Sequence, residues 1–120
     1  MDLDIKIVNI HDFTGDYVYV GRGSPLGNPF FHKASKFEVV KVASRSEAIE
    51  EYRIWLVNRL LFDTPQSRAI NDCVIKLSSE KKIVLGCFCF PKQCHAEVIA
   101  EILKERVEKM NSGWNDLFEQ

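Results

Sequence analysis

The chain has 120 residues, of which 46% are hydrophobic and 28% charged. That is the composition of one folded domain, and it argues against disorder. Lysine and arginine number 16 against 17 acidic residues, a formal net charge of -1, so no global attraction to nucleic acid or to an anionic membrane follows. No apolar run approaches the ~20 residues that span a bilayer. The acidic start Met1-Asp2-Leu3-Asp4 is unlike the basic start and apolar stretch of a signal peptide, so a cytoplasmic location is expected. Three of the four cysteines, Cys87, Cys89 and Cys94, crowd into eight residues. A secreted framework would spread them to close long loops. In a reducing compartment such a cluster is read as a metal site, a reactive thiol or buried apolar filler.

Residues 5–10 and 17–20 are short and rich in β-branched or aromatic side chains, and the turn-forming 11–16 lies between them. Both are expected strands. Residues 21–29 hold three glycines and two prolines, a loop with special backbone needs. A further edge strand is expected at 37–42, where Lys36, Glu38 and Lys41 break up the apolar content. Ser44 followed by Glu47 matches a capping box. Ile49, Tyr52, Leu56 and Leu60 then recur at helical spacing, with Trp55 beside them. Asp63-Thr64-Pro65 should stop that helix. A second helix is expected over 67–78, presenting Ala69 or Ile70, Cys73, Val74 and Leu77. Residues 82–90 form a near-continuous apolar run suited to a central strand covered on both faces. A last helix is expected from 92–94 to about 110, with Val98, Ile99, Ile102, Leu103 and Val107 inward and Gly113 as its cap. The tail at 112–120, with Trp114, Leu117 and Phe118, is too apolar to float and should pack on the domain or on a partner.

This order predicts a single α/β domain over 1–120, with a short, mainly parallel sheet flanked by helices in a Rossmann-like three-layer arrangement. Parallel strands finish on the same side of a sheet, and ligands of open α/β sheets bind at that carboxyl edge. The 21–30 loop and the 87–95 segment should therefore meet there.

Those two segments carry the chemistry. In the first, glycines at 21, 23 and 27 let a ligand approach the main chain. Arg22 can grip a phosphate or carboxylate bidentately, and Ser24 and Asn28 can add neutral hydrogen bonds; the competing reading is a rigid turn bonded only to itself. In the second, Cys87 and Cys89 share one face of a strand and Phe88 and Phe90 the other. Cys94 and His95 fall at a helix start, where unpaired amides favour an anion or a thiolate. Three readings stay open here: a reactive Cys94–His95 pair, a zinc site made of Cys87, Cys89, Cys94 and His95, and an inert buried cluster. His11 and His32 read as solvated loop residues.

The stretch Val-Tyr-Val-Gly-Arg-Gly-Ser-Pro-Leu-Gly-Asn-Pro-Phe at 18–30, a helix with Tyr52 and Leu56, and Leu-Gly-Cys-Phe-Cys-Phe-Pro-Lys-Gln-Cys-His-Ala-Glu-Val-Ile at 85–99 together resemble the bacterial and phage family called domain of unknown function 4326. The resemblance spans about residues 7–103, with Phe88 keeping an aromatic where the family has a tryptophan-like position. It implies a small α/β fold in a bacterial or viral setting and brings no established reaction. The positions it carries over are Gly21, Arg22, Ser24, Gly27, Asn28, Pro29, Cys87, Cys89, Cys94 and His95. That step is analogy.

The function expected is a small cytosolic enzyme or ligand-binding protein acting on an anionic metabolite, with a nucleotide or nucleoside derivative as first choice. Gly21, Arg22, Ser24, Gly27, Asn28 and Cys89 would bind it, Cys94 would be nucleophile or polar contact, and His95 would transfer the proton. No cofactor is favoured, zinc being the one considered. The alternative is a zinc-stabilised binding module, or a phage protein that binds a host macromolecule. The tail would then meet a host protein or a second copy of the chain.

Overall fold

The computed structural model describes residues 3–31, 40–41, 44–88 and 94–119. Strand β1 covers Asp4–Asn9, β2 Val18–Tyr19, β3 Phe30–Phe31, β4 Val40–Lys41 and β5 Lys82–Cys87; helix α1 covers Arg45–Arg59, α2 Pro65–Glu80 and α3 Ala96–Glu119. The main sheet has the order β1-β5-β2, with both pairings parallel. The α/β class and parallel sheet follow the sequence reading, and the near-continuous apolar run of β5 does occupy the centre. The expected 37–42 strand is present at Val40–Lys41, which pairs parallel with Phe30–Phe31 in a separate two-stranded sheet. The rest of that stretch lies outside the described residues.

In β5, Ile83, Leu85 and Cys87 alternate with Val84 and Gly86, as a period of two requires. The first three are 2%, 0% and 0% exposed and join one core with Ile49, Tyr52 and Leu56 of α1, Ile70, Cys73 and Leu77 of α2, and Val98, Ile99, Leu103 and Val107 of α3. Ile5 and Ile7 lie in register with Ile83 and Leu85 and pack on the same core. All three helices thus cover one face. The opposite face at Val8 and Gly86 is covered by the link between β1 and β2: Tyr17 and Ile10 sit directly over Gly86, and Lys6 reaches over the Phe13 ring. Among the described residues, the outer layer on this side is coil where a Rossmann-like arrangement has helices.

Local chemistry sets the helix ends. The Ser44 hydroxyl accepts from the Glu47 amide at 3.1 Å, satisfying one of the orphan donors of α1. Thr64 does the same for α2 through Ser67, with Pro65 in the first turn. Proline fits there because the amide it lacks has no intrahelical acceptor. The Asp63-Thr64-Pro65 stop is therefore also the start of α2, two residues before the expected 67. Helix α3 runs through Gly113 to Glu119, so the expected glycine cap is not used; a lone interior glycine costs only about 1 kcal/mol. No helix among the described residues is long and apolar enough to cross a membrane.

Candidate functional site

The three parallel strands deliver Ile10, Val20 and Cys87 to one edge: Ile10 N–H donates to the Cys87 carbonyl at 3.0 Å and Val20 N–H to the Gly86 carbonyl at 2.9 Å. The chain leaving β2 enters the glycine loop here, and the chain entering α3 arrives beside it. The expected meeting of the two segments is realised through His95, whose Nε2 lies 2.5 Å from the Val20 carbonyl oxygen.

The loop is two linked turns. Ser24 N–H donates to the Gly21 carbonyl at 3.1 Å and Gly27 N–H to the Ser24 carbonyl at 3.0 Å. Gly23 occupies the third position of the first turn at φ +95°, which favours glycine. Pro25 holds the second position of the next, where its fixed φ is an advantage. Gly27 then comes back against the loop's own start. A Cβ on Gly27 would stand 2.6 Å from the Gly21 oxygen and 2.9 Å from the Arg22 Cα. Because these are backbone atoms, Gly27→Ala is expected to cost about 1–3 kcal/mol, read as a lower urea midpoint at unchanged m-value.

Side chains then tie down the loop's carbonyls. Tyr19 donates to the Arg22 carbonyl at 2.8 Å, Ser24 Oγ to that of Gly21 at 2.6 Å, Gln66 to that of Pro25 at 2.9 Å and Tyr52 to that of Leu26 at 2.7 Å. Arg22 curls back to donate to the Asn28 carbonyl, and the Asn28 amide donates to the Ala48 carbonyl of α1 at 3.2 Å. Three residues expected to face a ligand, Arg22, Ser24 and Asn28, thus also brace the loop. The amides of Gly23 and Leu26 show no acceptor among the described residues, and Gly23 and Pro25 form the exposed tips.

Behind the loop stand Cys94 and His95, only 3% and 6% exposed. The His95 ring meets Tyr52 edge to face, with centroids 5.0 Å apart. Its Nδ1 lies 3.5 Å from Cys94 Sγ, which also accepts from the Ala96 amide at 3.5 Å and lies 3.3 Å from Cys87 Sγ. Since Nε2 must donate to Val20, the proton sits there and Nδ1 turns its lone pair to the sulfur. Burial pushes the His95 pKa down to about 4 against the favourable Val20 bond, with Arg22 lowering it further. The imidazole is thus neutral near pH 7. Burial, reinforced by Cys94, holds the Tyr52 hydroxyl well above its ordinary pKa, so it keeps the proton it donates to Leu26.

Cys89, expected at the same site, lies outside the described residues, as does His32. Among the described residues no group of three or more histidine, cysteine or acidic side chains is arranged to hold a metal ion. His11 is exposed and rests against Phe88 at 5.1 Å between ring centroids.

Two features escaped sequence reasoning. Tyr52 was assigned to the core; the signal available was that a buried tyrosine needs a partner for its hydroxyl. The second is a cavity of about 250 Å³ between the loop, β2 and α2, lined by Val18, Tyr19, Ser24, Pro25, Leu26, Ala69, Asp72, Cys73 and Lys76. Its walls are mostly apolar, with Asp72 and Lys76 at the exposed side and Lys76 paired to Glu80 at 3.2 Å.

No curated protein and no solved structure matches the chain. A family model does, over residues 8–105, and it covers both site segments and the two helices that brace them. The chain therefore belongs to the family described as domain of unknown function DUF4326.

Proposed function

We propose that the protein binds an anionic metabolite, a mononucleotide or nucleoside derivative, in the cavity beside the 21–28 loop. The observation that carries this reading is the cavity itself, bounded by the loop and by α2. At about 250 Å³ it falls just below the range of drug-sized ligand sites, which starts near ~300 Å³. That size suits a base or a sugar and excludes a dinucleotide. Apolar walls from Val18, Pro25, Leu26 and Ala69 suit a flat ring, while the Asp72 carboxylate suits the hydroxyls of a ribose. Lys76, on the exposed side of the cavity, suits a phosphate as a point charge. Cys94 and His95, both buried, support the back of the loop in this reading.

The test is calorimetric titration of the full chain with each ribonucleoside 5′-monophosphate. At least one is expected to bind, and to raise the Tm when in large excess. Lys76→Glu should weaken it at least tenfold, about 1.4 kcal/mol, and Ala69→Phe, which fills the cavity, should abolish binding. No binding by any of them, or affinity indifferent to Ala69→Phe, would sink the proposal.

A further inference from the structure

The thiols at the junction of β5 and α3 have chemistry that nucleotide binding does not use. Cys87 closes the central strand and Cys94 precedes the last helix, yet their sulfurs are only 3.3 Å apart. A disulfide needs about 2.05 Å, so closure takes a shift of little more than about 1 Å. The surroundings favour attack from Cys94: its sulfur accepts from the Ala96 amide, and the unprotonated Nδ1 of His95 stands 3.5 Å away, placed to relay the thiol proton. Cys73, by contrast, sits on α2 at the wall of the cavity.

We infer that Cys87 and Cys94 are a dithiol that a hydroperoxide converts reversibly into a disulfide. Cys94 Sγ attacks the near peroxide oxygen as the O–O bond breaks; the Cys94 thiol proton, relayed through His95 Nδ1, ends on the leaving oxygen, which departs as water or alcohol, and Cys94 becomes a sulfenic acid. Cys87 Sγ then attacks that sulfur. The S–O bond breaks, its oxygen leaves as water with the Cys87 proton, and the S–S bond forms. Two thiols lose two electrons and two protons to the peroxide, and an exchanging dithiol returns them. The inference stands apart from the nucleotide reading, because no part of it requires a bound ligand.

The experiment treats the purified full chain with hydrogen peroxide, blocks remaining thiols with iodoacetamide and maps the peptides. Cleavage after Lys92 separates Cys94 from Cys87 and Cys89, so a cross-link appears as two joined peptides whose fragmentation distinguishes Cys87 from Cys89. The expected result is an intact mass lower by two hydrogens, a Cys87–Cys94 link, Cys73 still alkylated, and full reversal by dithiothreitol. Cys89→Ser should leave the link intact. Cys87→Ser should instead leave Cys94 carrying added oxygen; because that position is fully buried and the variant can fail to fold, the wild-type map and Cys89→Ser decide the matter. A link that maps to Cys89, or that forms only in urea, would overturn the inference. So would stoichiometric zinc on these sulfurs that must be chelated before any oxidation occurs.

Discussion

Replacing Tyr52 with alanine is expected to remove about 3–5 kcal/mol of stability, enough to unfold much of a domain whose whole margin is typically about 5–15 kcal/mol. The side chain is 0% exposed and acts in three directions. Its ring fills the core from α1, stacks at a tilt on Trp55 with centroids 5.8 Å apart, and meets the His95 ring edge-on. Its hydroxyl holds the Leu26 carbonyl. The roles separate with Tyr52→Phe, which keeps the ring and leaves that carbonyl without its donor. This variant is expected to cost about 1–3 kcal/mol and to speed amide hydrogen exchange across residues 21–28 more than in α1. Urea unfolding gives the first quantity and exchange the second. If Tyr52→Phe is neutral and the loop's protection is unchanged, the hydroxyl is not what holds the loop closed.

That result would also explain what the sequence could and could not reveal. The near-continuous apolar run at 82–90 marked Ile83 and Leu85, and period-3.6 patterns marked Ile70, Leu77, Leu103 and Val107, as core, because burial on a regular element imposes its own spacing. Ser44 and Glu47 marked the start of α1 because a cap is a local device. The juxtaposition of Val20 with His95 was legible one step further on, since parallel pairing brings strand ends to one edge whatever the intervening chain does. Thr64 and Pro65 were read as a stop and proved to be a start, as the same residues end one helix and open the next. Beyond these local signals the sequence was silent. Two donors that fix the loop, Tyr52 and Gln66, reach its carbonyls from α1 and α2, 26 and 41 residues away. No spacing rule encodes such a bond. The cavity was hidden for a similar reason: its α2 wall of Ala69, Asp72 and Cys73 becomes a wall only after the loop has folded against it.

The protonation of His95 gives the other large expected effect. In the unfolded chain an imidazole takes up its proton near pH 6.5; in the folded protein burial delays this to about pH 4. The unfolded state therefore binds more protons throughout that window, so stability rises with pH across it. The contribution is fully present above about pH 6.5, is lost progressively as the pH falls toward 4, and levels off below. A gap of about 2.5 pKa steps corresponds to about 3 kcal/mol. Carboxylates titrate in part of the same range, so the measurement is a difference between two proteins. Gln at 95 can carry an amide donor to the Val20 carbonyl and has nothing to titrate. Between pH 7.5 and 4.5 the wild type is expected to lose about 2–3 kcal/mol more than His95→Gln by urea unfolding. Equal losses would mean that the imidazole titrates as freely as in an open chain, which its 6% exposure opposes. The loop reports the same event, because a second proton on His95 replaces the lone pair facing Cys94 with a donor and places a charge beside the Tyr52 ring. Acid should accordingly loosen residues 20–28 in the wild type before the molecule unfolds, and leave them unchanged over that range in His95→Gln.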